Sequence, residues 1–154
     1  MLIDYFKLRN DVIDPVRANP SDAGMDIFWC PSDNSVEFTD MDSQSSVLLE
    51  TGLKFGVPHG YMLEVKNRSS MAAKKQLLVG ACIIDPGYNG ELFINLNNIG
   101  GTTQRIYSGD KIAQVVMIPI IHFRARKLMT DTLYDSDICL SNRGSGGFGS
   151  TGDK

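Results

Sequence analysis

Cysteine, histidine and net positive charge are all scarce in this 154-residue chain, and each shortage excludes something. The three cysteines, Cys30, Cys82 and Cys139, are odd in number and widely spaced, which is not a disulfide framework and makes a reducing compartment the simpler setting. The two histidines, His59 and His122, form no zinc-spaced cluster with them. Fifteen Lys and Arg against 18 Asp and Glu give a formal net charge of −3, which argues against direct nucleic-acid binding. A small anionic ligand remains possible, because it needs only a few local cations and N–H groups. No apolar run approaches the roughly 18 residues of a membrane span, and the start, MLIDYFKLRNDV, is too polar for a signal peptide. A soluble, cytoplasmic protein with no membrane association is expected.

Helix signals are also few. The best is Ser69 to Gln76, where hydroxyl residues able to cap N–H groups precede good helix formers. Elsewhere the patterning is that of strands. Tyr61, Leu63 and Val65 alternate with Met62, Glu64 and Lys66, and Leu92, Ile94 and Leu96 alternate with Phe93, Asn95 and Asn97. The run KIAQVVMIPII, Lys111 to Ile121, predicts a strand buried on both faces, entered through a turn at Gly109-Asp110. With 42% hydrophobic residues the chain can bury a real core, and its 15 Gly and 6 Pro make turns frequent. An all-β sandwich or barrel with one short helix is predicted. From Ser141 the sequence becomes glycine-rich, with Arg143 and Phe148 as ligand-facing residue types on a strap that cannot fold alone.

Four segments hold candidate chemistry. ACIIDPGYNGELFINLNN, Ala81 to Asn98, reads as strand, turn, strand, with Pro86-Gly87 as the turn and Gly90 allowing a close backbone approach. Asp85 is either a turn residue or a general base; Tyr88 is either a core aromatic or a platform for a ring. In NRSSMAAK, Asn67 to Lys74, Arg68 beside Ser69 and Ser70 reads either as an ordinary helix start or as an anion site. DAGMDIFW places Asp26 at a strand start. SGDKIAQVVMIP places Gln114 inside an apolar strand, where it must find a partner, either backbone or a ligand phosphate.

In order and spacing, these four segments and the tail RGSGGFGSTG, Arg143 to Gly152, resemble the five motifs of the trimeric all-β dUTPase family. The resemblance implies a distorted jelly-roll-like β-barrel over residues 1–140 and a flexible lid over 141–154. It implies hydrolysis of dUTP to dUMP and pyrophosphate, keeping uracil out of DNA and supplying dUMP for thymidylate synthesis. Asp85 would activate the water that attacks the α-phosphorus. Tyr88 would stack under the deoxyribose, and the backbone around Val79, Ile83, Ile84 and Phe93 would read the uracil edge. Arg68, Ser69, Ser70, Gln114 and Arg143 would bind phosphates, while Phe148 and Gly149 close over the base. Magnesium would be held mainly by substrate phosphates, with Asp26 acting indirectly through water. A homotrimer with sites shared between subunits is implied.

Two positions depart from the family pattern. Gly87 stands where a second acidic residue is common, and Ser70 where glycine is usual. The Asp85-Pro86-Gly87 form also resembles dCTP deaminases of the same fold, but those need a glutamate where this chain has Asn95; Glu91 lies four residues earlier. A catalytically silent nucleotide-sensing module is the other alternative, and it leaves the joint presence of Asp85, Arg68, Tyr88, Gln114 and Arg143 unexplained.

The tail is the sharpest test of this reading. Deletion after Asn142 is expected to leave folding intact, because the segment offers little apolar surface to a core. Turnover of dUTP should nevertheless fall strongly. Full activity of the truncated chain would reduce the tail to an inert terminus.

Overall fold

The computed structural model describes residues 2–133; Arg143, Phe148, Gly149 and the expected lid lie outside them. The chain divides after His122, and every strand and the helix fall in the first unit, Met1–His122. Of the second unit, residues 123–133 are described and contain neither helix nor strand. No helix among the described residues is long and apolar enough to cross a membrane.

The architecture is all-β and jelly-roll-like, as expected, with a single short helix among the described residues. The strands are β1 (Asp4–Lys7), β2 (Met25–Phe28), β3 (Phe38–Met41), β4 (Ser46–Glu50), β5 (Leu53–Gly56), β6 (Tyr61–Lys66), β7 (Leu77–Val79), β8 (Ile83–Ile84), β9 (Phe93–Asn98), β10 (Gln104–Tyr107) and β11 (Lys111–Pro119); α1 spans Ser69–Lys75. All pairings are antiparallel. A four-stranded sheet runs β2-β11-β6-β8, a three-stranded one β4-β9-β7, and β1-β5 and β10-β3 form two-stranded ribbons.

Alternation builds the core as the patterning predicts. Leu63 and Val65 are buried on β6, and Ile94 and Leu96 on β9, joined by Ile27, Leu53, Leu77, Ile106 and Ile112. Three expectations are corrected. First, the strand, turn, strand of Ala81 to Asn98 does not close into a hairpin in which the two strands pair: β8 pairs with β6, whereas β9 pairs with β4 and β7. The intervening loop carries the chain from one sheet to another, and Leu92 N–H docks on the Leu53 carbonyl at 2.7 Å. Second, β11 is not buried on both faces. Ala113 and Val115 face the core, while Gln114, Val116 and Ile118 alternate with them and remain only partly covered. Third, no serine caps α1. The N-cap is Arg68, in extended conformation and without a side-chain cap bond, because Ser69 and Ser70 already lie within the first turn.

Asn98 ends the β9 pattern as a polar residue with only 1% exposure. Its Nδ2 donates toward the carbonyls of Met41 (3.0 Å), Asp42 (3.0 Å) and Thr102 (2.9 Å), and its Oδ1 accepts the Gly100 N–H at 2.9 Å. One amide thus binds backbone groups of the last residue of β3 and of the loops after β3 and β9. Asn98→Ala would orphan them, and a loss of about 2 kcal/mol or more is expected. Urea unfolding at fixed protein concentration measures it; an unchanged midpoint would show that solvent replaces the amide.

Candidate active site

The loop after β8 is shaped by its turn. Tyr88 N–H donates to the Asp85 carbonyl at 3.2 Å, with Pro86 and Gly87 in the middle. Gly87 has φ +85°, the value a type II turn demands at its third residue and one that side chains rarely tolerate. Glycine at the family's acidic position is therefore explained by the backbone. Tyr88 is held from both ends: its hydroxyl donates to the Glu91 carbonyl at 2.9 Å, and its ring lies so close to Gly90 that any Cβ there would collide with it. The close approach expected at Gly90 is thus made by the tyrosine ring. Farther along, Glu91 Oε1 accepts the N–H groups of Thr51 (3.1 Å) and Gly52 (2.7 Å), which ties the loop to the β4–β5 corner.

Asp85, Tyr88, Ile83, Ile84 and Phe93 line one pocket of about 250 Å³, mostly apolar, with Val65, Leu92 and Cys82. Asp85 is exposed at this pocket, and half of the Tyr88 surface is open. Val79 lies elsewhere, on β7, with its N–H donated to Asn67 Oδ1 at 2.6 Å. Its visible effect is to anchor the residue preceding Arg68. Asn95, at the deaminase glutamate position, donates to Ser46 Oγ at 2.9 Å and takes no place in the pocket lining.

Of the described phosphate candidates, Arg68, Ser69 and Gln114 line a second pocket of about 410 Å³ with Asp26, Asp22, Ala23 and Gly24, whereas Ser70 does not. Arg68 Nε donates to Asp26 Oδ1 at 2.8 Å, and its Nη1 reaches the Lys111 carbonyl at 3.3 Å and Ser70 Oγ at 3.4 Å. Gln114 finds a backbone partner, the Asn67 carbonyl at 2.9 Å, and its amide oxygen presses on Gly24 where a Cβ would clash. Lys111, which sequence reasoning missed, places Nζ 2.8 Å from Asp26 Oδ2. The two pockets share no lining residue, and β6 stands between β11 and β8.

Asp26 is therefore one carboxylate between two cations. Burial opposes its ionisation, but hydrogen bonds from Lys111 and Arg68, and their charges, outweigh that cost and hold its carboxyl below the usual carboxylate range. The other titratable features lie apart: burial pushes the Cys30 thiol up, and Arg105 depresses Asp40 through paired hydrogen bonds of 2.7 Å on the β3-β10 ribbon.

An all-β scaffold with one apolar, ring-sized pocket and one polar pocket that holds the Arg68 guanidinium suits a ligand with a ring at one end and anionic groups at the other. The model of the dUTPase family matches residues 10–152. A deoxyuridine 5′-triphosphate nucleotidohydrolase of Crocosphaera subtropica is 32% identical over 156 residues, covering 99% of both chains. That of Desulfotalea psychrophila is 35% identical over 133 residues, 84% of this chain and 81% of its own. Among solved structures, the dUTPase of Staphylococcus bacteriophage 80alpha with dUPNHPP matches with a TM-score of 0.80 at 25% identity over 98% of each chain. The fold is shared too with the dUTPase from phage phi11 of S. aureus, whose structure concerns the coordination of a structural Mg(II) ion (TM-score 0.74, 24% identity, 84% of this chain and 98% of that one). The chain belongs to the dUTPase family.

The Asp26 pairing gives a signed pH dependence. A carboxyl whose folded pKa is depressed stabilises the fold fully above its unfolded value, about 3.9, and that stability is lost as pH falls through the lower folded value. Asp26→Asn should therefore be less stable than the parent at neutral pH, with the difference shrinking below about pH 4. Urea midpoints measured across the acid limb test this; a difference independent of pH would contradict it.

Proposed function

We propose that this chain hydrolyses dUTP to dUMP and pyrophosphate, with Asp85 as the general base. The observation that carries the reading is the placement of an exposed carboxylate and a fixed Tyr88 ring at the mouth of an apolar pocket. About 250 Å³ is less than the roughly 300–1,000 Å³ of pockets for drug-sized ligands and suits the nucleoside end alone. Backbone groups of Ile83, Ile84 and Phe93 read the uracil edge, and Tyr88 packs on the deoxyribose, where a 2′-hydroxyl would collide. Asp85 takes a proton from water as its oxygen bonds to the α-phosphorus. The bond from phosphorus to the bridging oxygen breaks, and pyrophosphate departs.

Phosphates are received by Arg68, Ser69, Ser70 and Gln114, with Arg143, Phe148 and Gly149 completing the closed site. Magnesium fits the donor set. Both Asp26 oxygens are engaged by Arg68 and Lys111, so Asp26 would act on the ion indirectly through water, and among the described residues no cluster of three or more His, Cys, Asp or Glu could hold an ion unaided, which suits a cation arriving with the triphosphate. When bound, the ion neutralises charge on the phosphate oxygens. The separate positions of the nucleoside and phosphate groups support a homotrimer in which neighbouring subunits each supply part of one site.

Two outcomes are expected. Supplied separately with dUTP, dCTP, dTTP and UTP plus magnesium, the protein should release pyrophosphate chiefly from dUTP. Asp85→Asn should lower the turnover number about 100- to 10,000-fold while nucleotide binding largely survives. Comparable ammonia release from dCTP, or normal turnover by a folded Asp85→Asn protein, would refute the reading. Shared sites make a further prediction: mixing inactive Asp85→Asn and Arg68→Met proteins under conditions of subunit exchange should recover activity. No recovery in exchanged mixtures of about three times 16.9 kDa, by light scattering, would place each site within one chain.

A further inference from the structure

Lys111 does not line the pocket that holds Arg68, but it reaches Asp26, which does, through an irregularity in the β2–β11 ladder. Gln114 pairs with Asp26 and Ala113 with Ile27, but Phe28 pairs with Lys111, so Ile112 is an extra residue on β11. In a regular strand Lys111 and Gln114 would point to opposite faces. The bulge brings both to the face that carries Asp26 and Phe28, and it leaves Ile112 and Ala113 consecutively buried. Lys111 Nζ then lies 2.8 Å from Asp26 Oδ2 and 5.7 Å from the Phe28 ring centre. The other carboxylate oxygen holds Arg68 Nε, and the Lys111 carbonyl receives Arg68 Nη1.

We propose that Lys111 is a positioning residue for phosphate binding: by engaging one oxygen of Asp26 it keeps that carboxylate from neutralising Arg68, whose guanidinium stays aimed and available to the ligand. The proposal rests on the triphosphate reading above. With both cations in place the cluster carries one net positive charge. Without Lys111 the carboxylate and guanidinium cancel, and Asp26 is free to pair with the Arg68 fork end-on, which turns the phosphate donors away.

A double-mutant cycle with inorganic triphosphate, followed by calorimetry, separates this from the alternatives. Lys111→Met should weaken binding about tenfold, and Lys111→Arg should restore most of the loss. In an Asp26→Asn background the same Lys111→Met change should cost about threefold or less. Equal losses in both backgrounds would overturn the proposal and make Lys111 a direct phosphate contact. Lys111→Gln, which keeps part of the stem, serves if the methionine variant does not fold. Failure of the parent protein to bind triphosphate would also overturn it. Binding of triphosphate without hydrolysis of dUTP would leave Lys111 in this role and refute only the enzymatic reading.

Discussion

The ladder that β11 forms on both its edges is the constraint from which the cluster of Asp26, Arg68 and Gln114 follows. Antiparallel pairing puts Gln114 opposite Asp26 on one side and opposite Lys66 on the other. Lys66 leads directly into Asn67 and Arg68, so the strand that presents Gln114 also fixes where the Arg68 loop begins. The Gln114 amide closes the arrangement by binding the Asn67 carbonyl. Three segments distant in sequence meet because one strand is hydrogen-bonded to two neighbours, and the half-covered face of that strand is the price of keeping the site open.

The pocket beside Asp85 is built on the opposite principle. Its loop belongs to no ladder and is secured by single bonds: a turn hydrogen bond at Asp85, the Tyr88 hydroxyl on Glu91, and the Glu91 carboxylate on the β4–β5 corner. Thr51, fully buried, adds a bond from its hydroxyl to the Leu92 carbonyl at 2.6 Å. Glu91 thus directs its charge to backbone donors, while Asp85 stands exposed at the same pocket.

Much of this was legible in the sequence where a local rule governs it. The alternation of Leu63 with Glu64 and of Ile94 with Asn95 predicted two strands and their buried faces, and the composition around Met71 predicted the one helix. The quoted motif segments contain most of the residues that line the two pockets. What remained hidden depends on partners rather than on neighbours. A two-residue β8 does not say whether it pairs with β6 or β9. Val79 donates to Asn67, a residue twelve positions away, and nothing in the pattern around either one announces it. Lys111 was missed because a bulge reverses which face a residue occupies; its only local sign is the apolar pair Ile112-Ala113 just after it.

The Pro86-Gly87 turn carries a consequence for how the pocket behaves before any ligand arrives. Proline restricts its own φ, and glycine supplies a left-handed φ at the following position without steric cost. Both dihedrals are thus suited to the folded loop, and the proline also narrows the range open to the unfolded chain. An acidic residue at position 87 would bring a charge to the pocket rim but would oppose the +85° backbone angle. This chain has exchanged a side chain for a preorganised corner: Asp85 and Tyr88 stand ready-spaced, and less ordering entropy is left for the substrate to supply.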